Sequence, residues 1–305
     1  MAEAPTARGR APGTTDAADP PPRIDVLIPT YGREAELAVT LAGLAAQEGP
    51  GFAVVISDQS THRPCLEEPA VRAMIRVLRH RGHPVRVERN LPRRGMAHQR
   101  SFLLGCSTAD RVLFLDNDVW LEPRALQRLD EALTWGRCGF IGSAVQGLSF
   151  LEDVRPHEQE PLEFWDVPPR PERVRPDSPG FERWTLHNAA NLVHAADGLD
   201  LPPGGWRAYK VAWVGGCVLF DRAKLLACGG FDFWDELPAG HAGEDMVAQM
   251  RVMEKYGGAG IIPSGAVHLE ADTTVTDRST EAADVVLPEA DVPAGPPDPS
   301  GPAAT

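Results

Sequence analysis

Residues 111–123 read RVLFLDNDVWLEP: an apolar run breaks into two aspartates, Asp116 and Asp118, and then turns apolar again. A short, nearly continuous apolar run suits a strand that is buried on both faces of a parallel sheet. In open α/β sheets ligands bind beyond the carboxyl ends of the strands, so acids at the end of this run point to a strand that delivers its last residues to a cleft.

The same texture recurs upstream. IDVLIPT (24–30) is another apolar run, and REAELAVTLAGLAAQE (33–48) follows it with Leu37, Leu41 and Leu44 at helical spacing before GPG (49–51) ends the pattern. FAVVISDQS (52–60) predicts a second strand, Val71 to Leu78 a helical region, PVRVE (84–88) a third strand, and Gly95 to Cys106 a helix. Strands alternating with helices across short connections predict an α/β fold: a mostly parallel, Rossmann-like sheet with helices on both faces. Thr30, Asp58 and the Asp116/Asp118 pair all fall at strand ends.

After Phe150 the texture changes. Residues 151–207 are rich in Pro, Arg, acids and Trp, with one helical piece, TLHNAANLVHAA (185–196). Regularity returns in YKVAWVGGCVLFD (209–221), the helical RAKLLACGGFD (222–232) and GEDMVAQMRVMEKYG (243–257), and a last strand near GAGIIPSGAVHLE (258–270). Residues 1–22 and 277–305 are rich in Pro, Ala, Gly and acids, a composition that cannot bury enough apolar surface to offset ordering entropy, and are expected to be disordered. One domain is therefore expected over 23–276, in three parts: 23–150, a variable insertion over 151–207, and 208–276.

Composition narrows the function. The chain has 305 residues, 43% of them hydrophobic, enough for a large core, and a formal net charge of -13, which argues against a nonspecific nucleic-acid binder. One segment is the reverse: Arg79, Arg81, Arg86, Arg89, Arg93, Arg94 and Arg100 stand against Glu88 alone between positions 79 and 100, which fits a small polyanion. The five cysteines (65, 106, 138, 217 and 228) form no CxxC pair and read as reduced core residues. With no signal-like or membrane-spanning apolar stretch, the sequence points to the cytoplasm, either free or peripheral at the inner face of the membrane.

Two carboxylates one residue apart at a strand end suit a hard divalent cation such as Mg²⁺ or Mn²⁺, and equally suit a polar turn. Glu244 and Asp245 open a helix, where the dipole favours acids whether or not they do chemistry. Gly229 and Gly230 fit a helix C-cap. His187, Asn191 and His194 recur at i, i+4, i+7 as a polar stripe, readable as interior hydrogen bonding or as acceptor contact. Trp165, Trp184 and Trp206 could stack on an acceptor or pack the insertion.

Taken in order, VLIPTYGR, VVISDQS, NLPRRGMAHQRSFLLGCSTADRVLFLDND, WVGGCVLFDRAKLLACGGFD and GEDMVAQMRV resemble the family 2 glycosyltransferases, over about 24–150 and 211–270. The resemblance implies a GT-A fold, with 23–150 as the nucleotide-binding half and 208–276 as the acceptor and catalytic half, and metal-dependent, inverting transfer of a sugar from a nucleotide-diphosphate donor. It implies a donor nucleotide site of Pro29, Thr30, Tyr31, Asp58, Arg94, Gly95, Arg100 and Asp116, with Asp58 contacting the base, although SDQS replaces the family's usual two acids and a glycine. It places Asp118, Asp116 and His268 at the metal, while a lone His at a strand end is also readable as merely hydrogen-bonded. Trp213, Gly215 and Gly216 would line the donor-sugar and acceptor pocket. Asp245 would be the general base and Glu244 would orient the acceptor or loop. The cofactor implied is Mn²⁺ or Mg²⁺. The partners are a nucleotide sugar and an acceptor that is a glycan, lipid, peptide or small metabolite. The competing readings are a nucleotide-sugar-binding regulatory module without transfer, and a nucleotidyltransferase on a related sheet.

Overall fold

The computed structural model describes residues 23–273 and 278–287. Its first half alternates as the sequence predicts: β1 (Ile24–Thr30), α1 (Glu34–Ala45), β2 (Phe52–Asp58), α2 (Pro69–His80), β3 (Val85–Arg89), α3 (Met96–Gly105) and β4 (Arg111–Leu115). All seven residues of β1 are buried, which is why its sequence is apolar throughout rather than alternating. Ile24, Val26 and Ile28 enter one core and Leu27 the other, on opposite faces of the pleat. The remaining elements are β5 (Val119–Leu121), α4 (Ala125–Gly136), β6 (Phe140–Gly142), α5 (Pro156–Gln159), α6 (Asn191–Asp197), β7 (Arg207–Tyr209), β8 (Cys217–Asp221), α7 (Arg222–Ala227), α8 (Glu244–Tyr256), β9 (Gly258–Ile262), β10 (Ala266–His268) and α9 (Ala282–Val286).

Eight strands form one sheet in the order β3-β2-β1-β4-β8-β6-β9-β7. Four of its seven pairings are parallel; β8 runs antiparallel between β4 and β6, and β7 antiparallel to β9. The sheet continues across β4 into strands from the last third of the chain, so residues far apart in sequence meet at the carboxyl end of β4.

Three expectations change. The last strand is two: β9 stays in the main sheet, whereas β10 pairs antiparallel with β5 in a separate two-stranded sheet, His268 opposite Val119. This register sets His268 next to Asp118. The helical piece 185–196 is broken, because a 3-10 turn ends at His187 and Ala189 takes φ 50 before α6 begins. The folded part also extends past 276. Ala282, Ala283 and Val286 of α9 are buried and pack against α8, an anchoring that a five-residue segment in an acid-rich, Pro-rich tail does not announce. The expected tails over 1–22 and 288–305 lie outside the described residues.

Candidate active site

The DND stretch connects β4 to β5, and each of its three side chains goes a different way. Asn117 is buried and its Nδ2 donates to Thr30 Oγ1 at 2.8 Å, tying the turn to the end of β1. Asp116 keeps about a third of its side chain exposed and accepts from Arg100 Nη2 at 3.2 Å. Its backbone N–H donates to Gly216 O at 2.9 Å, fixing the Gly215-Gly216 turn against the strand end. Asp118 is 3% exposed and accepts through Oδ2 from Arg33, with His268 Nε2 3.4 Å from the same oxygen.

These settings shift the two acids in opposite directions. Burial raises the Asp116 carboxyl, and the nearby Asp118 and Glu244 add to it, with Arg100 opposing. Burial acts on Asp118 in the same sense, but the His268 hydrogen bond and the Arg33 guanidinium outweigh it and hold this carboxyl below its ordinary value. His268 is raised in turn, chiefly by its bond to Asp118.

The GED stretch arrives from the other side. Gly243, at φ 80, turns the chain into α8, and no side chain caps the helix. Glu244 is 5% exposed and accepts from Arg100 Nε at 2.9 Å. Arg100 thus clamps Asp116 and Glu244 with two of its donors, and the motifs converge although 144 residues separate Arg100 from Glu244. Burial disfavours its charge, but Asp116, Glu244 and Asp245 together outweigh that and raise its pKa. Asp245, beside this cluster, accepts from Met246 N at 2.9 Å. Burial and the neighbouring Glu244 push its carboxyl up to about 7, against the pull of Arg100.

Val214 and Gly216, from the loop that also carries Trp213 and Gly215, lie beside Arg100 and Asp245. Gln249, fully buried one helical turn after Asp245, donates to Val214 O and accepts from Val214 N, both at 2.8 Å, which pins this loop to α8. Gly216 is at φ 76, and a Cβ there would come within 2.8 Å of Val145.

At the carboxyl end of β1, Thr30 is buried and Tyr31 lies under Arg93, whose guanidinium carbon is 3.7 Å from the ring centroid. Pro29 is buried within β1. Gly95, at φ 95, brings α3 against His241: a Cβ there would meet the imidazole at 2.5 Å. His241 Nε2 accepts from Ala97 N at 3.2 Å, and its Nδ1 faces Pro238 O at 2.7 Å, so a buried imidazole serves the first turn of α3. Arg94 lies 5.9 Å from the Trp234 ring.

Two residues of the implied donor site have their side chains engaged by the protein itself. Asp58 is 1% exposed with both oxygens engaged: Oδ1 accepts from Ser60 N, and Oδ2 from Cys65 N and Arg89. These hydrogen bonds overcome the burial that would raise its pKa and hold it low, and they brace the loop after β2. Arg100 is likewise a buried clamp, with Nε and Nη2 committed to protein acids. The polar stripe of the insertion also looks inward. His187 meets the Tyr209 hydroxyl at 3.0 Å, Asn191 donates to Glu158 and to Thr185 O, and His194 Nε2 lies 2.8 Å from Leu151 O.

Arg33, Gln249 and His241 carry much of this geometry, and the sequence does not single them out. Gln249 has a signal, since it sits at i+4 from Asp245 on one helix face. Arg33 stands in the loop after β1, close to Thr30 and Tyr31. Nothing local marks His241. A hollow of about 340 Å³ lined by Leu66, Arg72, Ile75, Arg76, Arg79 and Val87 lies at the β3 edge and shares no residue with the cleft.

The spacing of Asp118 and His268 admits a divalent ion. Two donors each about 2.1 Å from an ion lie about 3 Å apart when they meet it at a right angle, close to the 3.4 Å found here. Among the described residues no group of three His, Cys, Asp or Glu side chains is arranged to hold a metal, so an ion between Asp118 and His268 would meet only a partial protein shell. That suits ions which complete their shell with phosphate oxygens and water.

Comparison with known proteins places the chain. The family described as Glycosyl transferase family 2 matches residues 25–192. An uncharacterized glycosyltransferase of Haemophilus influenzae is 30% identical over 106 residues, 35% of this chain and 33% of that protein. The mannosyltransferase PcManGT of Pyrobaculum calidifontis, solved with GDP-Man and Mn²⁺, superimposes with a TM-score of 0.51 at 18% identity, covering 85% of this chain and 61% of that one. S. aureus TarS 1-349, solved with UDP-GlcNAc, gives 0.51 at 16% identity, covering 83% and 60%. The chain thus spans about a third of the curated relative and about three fifths of the solved ones. The expected GT-A-type α/β fold is the one observed.

Proposed function

This chain belongs to glycosyltransferase family 2, and from that membership we propose that it transfers a sugar from a nucleotide-diphosphate donor to an acceptor hydroxyl, with a divalent ion at Asp118 and inversion at the anomeric carbon. The observation that carries the reading is the convergence on Arg100. It draws Asp116 and Glu244 together and leaves Asp245 beside them with a carboxyl raised to about 7.

A general base works best with a pKa near the operating pH, where it is both available and basic enough to take a hydroxyl proton. Asp245 fits that role, since its carboxylate would accept the acceptor's proton as the oxygen attacks. Glu244, committed to Arg100, positions Asp245 and the start of α8 rather than reacting. Thr30 and Tyr31 would line the nucleoside, with Arg93 and Arg94 on the same side to meet phosphate oxygens. Asp58 supports that wall by holding Arg89 and the loop after β2. Asp118 and His268 would hold the ion, which supplies charge neutralisation for the departing nucleoside diphosphate. Trp213, Gly215 and Gly216, fixed by Gln249, would form the floor on which the donor sugar rests. The solved neighbours bearing GDP-Man with Mn²⁺ and UDP-GlcNAc support a nucleotide sugar as donor class here.

A thermal-shift titration against UDP, GDP, dTDP and CDP, each with and without Mn²⁺, tests the reading. At a hundredfold excess over its dissociation constant, a ligand that binds only the native state adds about 2.7 kcal/mol of apparent stability. A shift with one nucleotide that needs Mn²⁺ and disappears in Asp118→Asn is expected. A shift with none of the four overturns the donor site.

A further inference from the structure

We propose that Arg33 is a built-in counter-cation of the metal site, holding the Asp118 carboxylate against bare divalent ions until a donor's diphosphate arrives to receive its guanidinium. This rests on the assignment of Asp118 as a metal ligand above.

Arg33 donates to Asp118 Oδ2, the oxygen that also lies 3.4 Å from His268 Nε2. An ion bridging Asp118 and His268 needs that oxygen, so ion and guanidinium compete for one acceptor. The pair is also withdrawn from solvent, with 17% of the Arg33 side chain and 4% of that of Asp118 exposed. A charge pair in that setting is neither loosened by water nor screened by salt as a surface pair is. Arg33 therefore already neutralises the charge for which an ion would come.

The rest of Arg33 suits a side chain with a second position to occupy. Its Nη2 donates to Asp272 O and its Nη1 to Asp118, while its Nε is buried without a hydrogen-bond partner. Buried guanidinium donors are normally satisfied, and this fork, on the β1 loop that carries Thr30 and Tyr31, has a donor to spare for a phosphate oxygen. Its backbone is held at φ 58, a left-handed conformation costly for a residue with a Cβ, and Gly32 N, beside it, donates to Ser60 Oγ at 3.0 Å. The loop is thus constrained to aim this side chain into the cleft.

The consequence is a coupling between ion and donor. An ion arriving alone must displace a cation that has nowhere equivalent to go. An ion arriving with a diphosphate displaces it onto new oxygens. Binding of either then favours the other, as linkage requires.

Electron paramagnetic resonance of Mn²⁺ titrated into the purified protein without nucleotide tests this directly and needs no turnover. Arg33→Asn removes the charge and tolerates the left-handed backbone; Arg33→Lys keeps the charge. Arg33→Asn is expected to bind Mn²⁺ at least about tenfold more tightly than the parent protein, because a cation a few ångströms away has been removed. Arg33→Lys is expected to stay near the parent, and the gain is expected to vanish in Arg33→Asn/Asp118→Asn. Unchanged Mn²⁺ affinity in Arg33→Asn, or an equal gain in Arg33→Lys, overturns the counter-cation role. A gain that survives in the double variant shows instead that Asp118 is not the ligand, so the metal assignment itself fails.

Discussion

Arg100 Nε and Glu244 Oε1 are 2.9 Å apart, in a buried ion pair that joins the helix before the DND strand to the first residue of α8. Both side chains are under a tenth exposed. With Asp116 on a second donor, the guanidinium is the hub on which two acidic motifs are assembled.

Breaking this hub should be costly. Arg100→Met keeps most of the side chain's volume but leaves Glu244 buried without its cation, and loss of one partner of a buried pair typically costs about 3–5 kcal/mol. Chemical denaturation is expected to give a loss of that order. A loss within experimental error would show that the clamp does not organise the fold.

The raised carboxyl of Asp245 makes a signed prediction about stability. Its folded pKa of about 7 lies above the ordinary 3.8, so between those values the native state binds more protons than the unfolded state. Stability therefore falls as pH rises through this window, and the penalty is fully present above about 7. Asp245→Asn, a neutral isostere, should stabilise the protein at pH 8 by about 1–3 kcal/mol, since each tenfold change in proton affinity corresponds to about 1.4 kcal/mol. The gain should fade towards pH 4. An equal effect at both pH values would remove the basis for the raised pKa.

The same variant should lose transfer. In the parent protein, kcat/KM is expected to rise with pH to a plateau above about 7, reporting the free enzyme's base. Asp245→Asn should bind nucleotide normally with turnover reduced by about 10²-fold or more. Unimpaired turnover would exclude Asp245 as the base.

Gly95 predicts a steric effect that partner substitution relieves only in part. Gly95→Ala adds a Cβ 2.5 Å from His241 and 2.9 Å from Ala239 O, on a backbone at φ 95. A loss of about 2 kcal/mol or more is expected, from the strain and the clash together. His241→Ala in the same chain should relieve the clash with the imidazole but not the backbone strain, and a double-mutant cycle measures the difference.

Gln249 holds both backbone polar groups of Val214. Gln249→Leu fills nearly the same space yet leaves a buried N–H and C=O unpaired, at about 1–3 kcal/mol each. Stability should fall accordingly, and nucleotide-sugar affinity should fall more than affinity for the nucleotide alone. Equal losses for both ligands would place the Trp213–Gly216 loop away from the sugar.

Much of this architecture is legible in the residues. The first strands are buried on both faces and so are written as continuous apolar runs, and α1 shows its buried leucines at helical spacing. Gly243 with Glu244 and Asp245 marks the start of α8. The insertion is less readable, because short 3-10 turns and loops between 148 and 206 are stabilised by contacts such as His187 with Tyr209 that have no sequence period.

The sequence by itself determined the strand and helix order, the acids at the strand ends and the family, since these depend on local period, turn chemistry and motif order. Only the tertiary structure decided which acids are free and which are held. Arg33 meets Asp118 across 85 residues, Arg89 meets Asp58 across 31, and Arg100 meets Glu244 across 144. Whether a carboxylate is poised to bind an ion, to take a proton or to brace a loop depends on the charge and burial imposed by such distant partners, and local sequence does not encode their distance in space.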